Sequence, residues 1–197
     1  MTARTEIARN DIISMEDYTA ERHQRRQRMT EIKRQRRVSL GPDATFYFES
    51  FETMWHQIHE MLYIERGGEE QIADELAAYN PLIPKGRELV ATLMFEIDDA
   101  DRREQFLAGL GGVEETVTLT LGDEIIRAQP EADVDRTSAD GKASSVQFLH
   151  FPFTDVQCAL FRDPAVKAVL AIEHGKYPHM TVLSEITRSA LTGDFAD

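Results

Sequence analysis

Cysteine is nearly missing from this 197-residue sequence: only Cys158 is present, so no intrachain disulfide can form. That excludes the disulfide-stapled scaffolds of small secreted domains and makes a reducing, cytoplasmic setting the expectation. Long apolar runs are missing too. The longest, at 89–95, is interrupted by Thr92, and residues 1–10 are polar and charged with no apolar stretch of the kind an export signal needs. The chain is therefore expected neither to be exported nor to cross a bilayer. Positive charge is scarce, with 22 Lys and Arg against 35 Asp and Glu and a net charge of -13. Such a surface repels nucleic acid and anionic membrane over most of its area and disfavours both as partners. Neither a Glu-x-x-His pair nor a His-Glu-x-x-His run occurs, so the usual helical metal signatures are absent. Gly109-Leu110-Gly111-Gly112 precedes a strand pattern instead of opening a helix, which makes it a helix stop and not a phosphate cradle.

What is present suffices for one domain. A hydrophobic fraction of 42% can fill a substantial core. No glycine or proline occurs before Gly41, and Ser14 stands three residues ahead of Asp17, so a long helix is predicted over 15–36. Val38-Ser39-Leu40 and Thr45-Phe46-Tyr47-Phe48 flank Gly41-Pro42-Asp43 and read as a hairpin. Helical spacing follows through Trp55, Ile58 and Leu62, then over 69–79. Strands are expected at 88–97, 115–121, 124–128, 145–153 and 165–173, with short helices at 101–110, 155–162 and 181–191. The small, polar stretch 130–145 reads as a mobile loop. Hairpins mixed with helices, without strict strand–helix alternation, indicate an α+β fold with a mixed, largely antiparallel sheet and flanking helices.

Several stretches resemble a family of small bacterial proteins known only as a domain of unknown function, number three-five-zero-one. They include Arg9-Asn10-Asp11-Ile12, Thr45-Phe46-Tyr47-Phe48-Glu49, Gln57-Ile58-His59-Glu60-Met61-Leu62, Asn80-Pro81-Leu82-Ile83-Pro84, and His174 with Tyr177. The resemblance runs over nearly the whole chain and brings no catalytic motif. It implies an accessory part in redox or metal handling, because genes of this family look to stand beside those for rubrerythrin-like and iron–sulfur proteins. Glu49, Gln57, Glu60 and Glu65 are the candidates within that pattern, expected to cluster where the hairpin meets the helix.

Three constellations carry possible chemistry. Between Arg22 and Arg37 stand Arg22, Arg25, Arg26, Arg28, Lys33, Arg34, Arg36 and Arg37 against the single acid Glu31, a local charge of +7 that leaves -20 for the remainder. Guanidinium forks grip carboxylate or phosphate, so this segment is the candidate for an acidic protein partner or an anionic ligand, a redox protein among the former. Glu52, His56, His59 and Glu60 share a helix face opposite Trp55, Ile58 and Leu62; they are metal-ligand candidates, with a solvated polar face as the plain alternative. His174 and Tyr177 fall in an expected loop after an apolar strand and are the catalytic candidates, although no nucleophile accompanies them. Two readings follow: a non-catalytic accessory or interaction protein, or a metal-dependent or anion-binding enzyme using the His174/Tyr177 loop and the Glu49–Glu60 face. Cys158 reads as a half-buried small side chain.

Overall fold

The computed structural model describes residues 4–131 and 142–196. Its first helix, α1 (Met15–Gln35), is capped by Ser14, whose hydroxyl accepts from the Asp17 amide, and it buries only Tyr18 and Met29. The hairpin β1 (Arg37–Leu40) and β2 (Ala44–Phe48) follows. Gly41 sits at its turn with φ 68°, and a Cβ there would lie 2.6 Å from the Tyr177 hydroxyl, so glycine is required on both counts. Next come α2 (Phe51–Glu65), α3 (Gly68–Tyr79), β3 (Glu88–Phe95) and α4 (Ala100–Ala108), which stops at Gly109. The chain continues through β4 (Val117–Leu121), β5 (Glu124–Arg127), β6 (Gln129–Pro130) and β7 (Val146–Pro152). It ends with α5 (Asp155–Arg162), β8 (Ala168–His174), β9 (Tyr177–Val182) and α6 (Glu185–Thr192).

The α+β class holds, with the strands divided between two antiparallel sheets, ordered β1-β2-β3-β7-β6 and β5-β4-β8-β9. One core fills the space between them. Phe46, Phe48, Leu93, Leu149 and Phe151 from the first sheet meet Val117, Leu119, Leu170 and Ile172 from the second. Alternation then sends Val90 to the far face of the first sheet, where Met54, Ile58 and Leu62 of α2 cover it together with Ile72 of α3. The order is helices, sheet, sheet, with α1 laid across the outside of α2.

Three expectations need correction. The segment from His174 to His179 is not a loop: β8 turns through Gly175-Lys176 directly into β9, with His174 paired to Tyr177 and Ile172 to His179. Thr181 and Val182 continue that strand, so the last helix starts at Glu185 behind its Ser184 cap, not at 181. The expected loop at 130–145 is also tied down at both ends. Pro130 pairs with Leu149, the Glu131 amide donates to Phe148, and the Ala143 amide donates to Leu107. Its centre, 132–141, lies outside the described residues.

Candidate functional site

α2 presents two buried faces because it is covered from both sides. Ile58 and Leu62 point at the sheet, while His56 and His59 point at α1, the former 8% and the latter 0% exposed. The expected solvated histidine face is therefore wrong, and Trp55, on the face opposite those residues in the sequence pattern, is half-buried at the margin. The physical reason is the long polar helix. Tyr18 of α1 fills the seam with a fully buried ring against Trp55, His59 and Tyr63, and polar groups line up around it. Its hydroxyl donates to Glu60 Oε1 at 2.7 Å and lies 3.3 Å from His56 Nδ1.

Arg22 grips both oxygens of Glu60, at 2.8 and 2.7 Å, and lies over the Tyr63 ring. That fork is the main reason the Glu60 carboxyl is held down to about 2, with the Tyr18 hydroxyl adding to it. His59 Nε2 accepts from the Ile13 amide at 3.2 Å, which leaves the proton on Nδ1 to donate to the Trp55 carbonyl at 2.7 Å. Burial pushes His59 down to about 4 and His56 down for the same reason. Both histidines are neutral at pH 7, with Glu60 ionised beside them. Glu52 is exposed and takes no part in these hydrogen bonds. Among the described residues no group of three or more His, Cys, Asp or Glu side chains is arranged to hold a metal ion.

The basic residues divide into two sets. Arg36 is buried, paired with Asp194, and donates to the carbonyls of Phe48, Glu49 and Ala190. Arg22 pairs with Glu60, Arg25 with Glu21, Arg34 with Glu31, and Arg37 with Glu96. Arg25 also lies 4.6 Å above the Trp55 ring. Arg26, Arg28 and Lys33 are exposed and carry no side-chain ion pair among the described residues. They flank the seam. Arg28 borders a hollow of about 230 Å³ with Arg4, Arg25, Glu52 and Trp55, Arg26 borders one with Arg22 and Tyr63, and Lys33 stands at the rim of a third.

That third hollow, about 270 Å³, opens between α2 and the outer face of the first sheet, and Glu49 and Gln57 both line it. Glu49 is 8% exposed; its carboxylate accepts from the hydroxyls of Thr53 and Thr92, each at 2.7 Å. The expected four-residue cluster at the hairpin-to-helix junction is thus split. Glu60 faces α1 instead, and Glu65 accepts from Gln71. The Glu49–Glu60 face is not a single face.

His174 and Tyr177 sit in the second sheet, apart from these groups. The Tyr177 hydroxyl donates to the Leu40 carbonyl at 2.7 Å and accepts from the Asp43 and Ala44 amides, each at 3.0 Å. It is fully occupied in pinning the β1–β2 turn, and burial raises its pKa further. His174 accepts from the Lys176 amide through Nδ1. Cys158 is buried, with its thiol pushed up by that burial.

A family model described as "Protein of unknown function (DUF3501)" matches residues 6–195. The chain belongs to the DUF3501 family. It is also similar to a solved crystal structure of a protein of unknown function from Burkholderia pseudomallei K96243, at 33% identity and a TM-score of 0.89. The match covers 98% of this chain and 100% of that one. Comparison with curated proteins gave no match. No helix among the described residues of this DUF3501 protein is long and apolar enough to cross a membrane.

Residue reading passed over Tyr18 and Thr92, both central to the hollows and seams of this DUF3501 chain. Tyr18 was detectable in principle, since Tyr18, Arg22, Met29 and Arg36 repeat at helical spacing and mark the one stripe of α1 that meets the body. Thr92 had no comparable signal. Its role depends on β3 bringing its hydroxyl within 2.7 Å of the Glu49 carboxylate.

Proposed function

We propose that the protein is a non-catalytic accessory protein that docks on an acidic partner through the basic flank of α1. One observation carries this reading. The body supplies countercharge to Arg22, Arg36 and Arg37, and acids of α1 itself to Arg25 and Arg34, while Arg26, Arg28 and Lys33 are left exposed without ion pairs among the described residues. They stand on a helix that is polar all round and buries two side chains, in a molecule whose net charge is -13. Ion pairs along the helix support part of such a length, and the three unpaired cations leave room for a further surface. An acidic protein supplies complementary charge there, and the family resemblance points to a redox protein as that partner. The same acidity disfavours a nucleic-acid partner.

The test is capture from a lysate of the source cell on immobilised wild-type protein and on the variant Arg26→Glu/Arg28→Glu/Lys33→Glu. Support is a discrete acidic protein retained at low salt by wild type and lost by the variant at unchanged thermal stability. Retention of the same proteins by both would refute the assignment of the surface.

A further inference from the structure

We infer that the hollow between α2 and the first sheet is a binding site for a small apolar molecule carrying a protonated amine, with Glu49 as the group that recognises it. The site shares only Lys33, at its rim, with the basic flank of α1 and does not depend on that docking reading.

Glu49 is a buried acidic side chain. Glu49 follows β2 and precedes the Ser50 cap of α2, so its backbone is fixed by the sheet on one side and the helix on the other. The Glu49 amide donates to Val90, and Ser50 caps through the Thr53 amide. The side chain, 8% exposed, projects to the hollow of about 270 Å³. A buried carboxylate is normally matched by a cation, because its desolvation is costly. Here the cation in the same wall is already committed: the Arg36 guanidinium reaches only the backbone carbonyl of Glu49 and pairs with Asp194. Among the described residues Glu49 has no ion pair, and its two oxygens accept one hydroxyl each, from Thr53 and Thr92. A carboxylate has about four acceptor positions, so acceptor capacity remains.

The rest of the lining states what else the ligand must be. Met54, Leu82, Met94, Val146 and Phe148 make most of the wall apolar, which suits an aliphatic body. At about 270 Å³ the hollow has the size of a pocket for a small molecule. Lys33 stands exposed at the rim and presents an ammonium to solvent-side groups. An ammonium head against Glu49 with an apolar body is the shared chemistry. A simple amine satisfies it, and an apolar α-amino acid satisfies it while also offering its carboxylate to Lys33.

Calorimetric titration of the full chain separates these cases, using 3-methylbutylamine, leucine and 4-methylpentanoate as probes. The amine is expected to bind and 4-methylpentanoate, which lacks the ammonium, is not. Glu49→Gln should weaken amine binding at least tenfold, and Val146→Phe, which fills the hollow, should abolish it. Leucine binding that Lys33→Ala weakens while sparing the amine assigns the site to amino acids; binding of the amine without leucine assigns it to simple amines. The inference is overturned if wild type binds neither ammonium compound, if 4-methylpentanoate binds as tightly as the amine, or if a folded Glu49→Gln or Val146→Phe binds the amine like wild type. Should Glu49→Gln not fold, Val146→Phe decides alone.

Discussion

His59 stacks on Trp55 with ring centroids 3.7 Å apart, and its Nδ1–H is spent on the carbonyl of that same tryptophan, one turn earlier in α2. With Nε2 accepting from the Ile13 amide, the ring joins α2 to the segment that leads into α1. It is a structural joint, and its neutrality is part of that role.

Protonating His59 must therefore oppose folding. Its pKa falls from the ordinary 6.5 to about 4 in the folded chain, so the unfolded state binds the proton more readily. The stabilisation is complete above about pH 6.5 and is lost as pH falls toward 4. Denaturant unfolding at pH 7, 5.5 and 4.5 should show a progressive drop in midpoint, smaller in His59→Gln; equal slopes in both proteins would show that another group governs the range.

Removing the Tyr177 hydroxyl should cost stability without touching any reaction. Tyr177→Phe leaves the Asp43 and Ala44 amides and the Leu40 carbonyl short of a partner in a buried turn. A loss of about 1–3 kcal/mol is expected from such orphaned groups. A midpoint equal to wild type would mean that the β1–β2 turn is held by other contacts.

Arg36 and Asp194 form a buried pair joining the end of α1 to the chain's C-terminal region. Arg36→Met strands a carboxyl already pushed up to about 6 by burial and removes donors to three carbonyls. Breaking a buried pair from one side costs about 3–5 kcal/mol. An exposed pair such as Arg34–Glu31 should respond by under about 0.5 kcal/mol, and chemical denaturation of Arg34→Met provides the comparison.

Ile58 and Trp55 test the assignment of helix faces. Ile58, fully buried, should cost about 2–5 kcal/mol when changed to Ala. Trp55→Phe retains the half-buried ring and loses the Nε1 donation to the Asp11 carbonyl, so it should cost about 1 kcal/mol. A larger loss for Trp55→Phe than for Ile58→Ala would reverse the faces.

Local signals in the sequence were informative wherever one residue decided the outcome. Ser14 capped α1, Gly41 turned the hairpin, and Gly109 stopped α4, each by its own backbone chemistry. The apolar run at 89–95 marked β3. What spacing alone could not disclose was which elements lie on top of which: His56 and His59 read as solvated because α1 is so polar that only the sparse stripe of Tyr18, Arg22, Met29 and Arg36 marks it as a cover. Its contact with α2 runs through Tyr18 and the Arg22–Glu60 fork instead of an apolar stripe. His174 and Tyr177 were misplaced for a related reason. Pro178 and an exposed Met180 disguise an edge strand whose alternate residues, Tyr177 and His179, face inward. The Glu49 hollow was legible only in part, as Glu49 and Gln57 were identified while Thr92 and the apolar lining required the fold.

Arg26, Arg28 and Lys33 are proposed to meet an acidic partner. The most direct test of that contact is the dissociation constant of the isolated partner as a function of salt, for wild type and for Arg26→Glu/Arg28→Glu/Lys33→Glu. Wild-type affinity should fall as salt screens the pairing, and the triple variant should bind at least tenfold more weakly at low salt with its melting temperature unchanged. Equal affinity of the two proteins across the salt series would contradict the account.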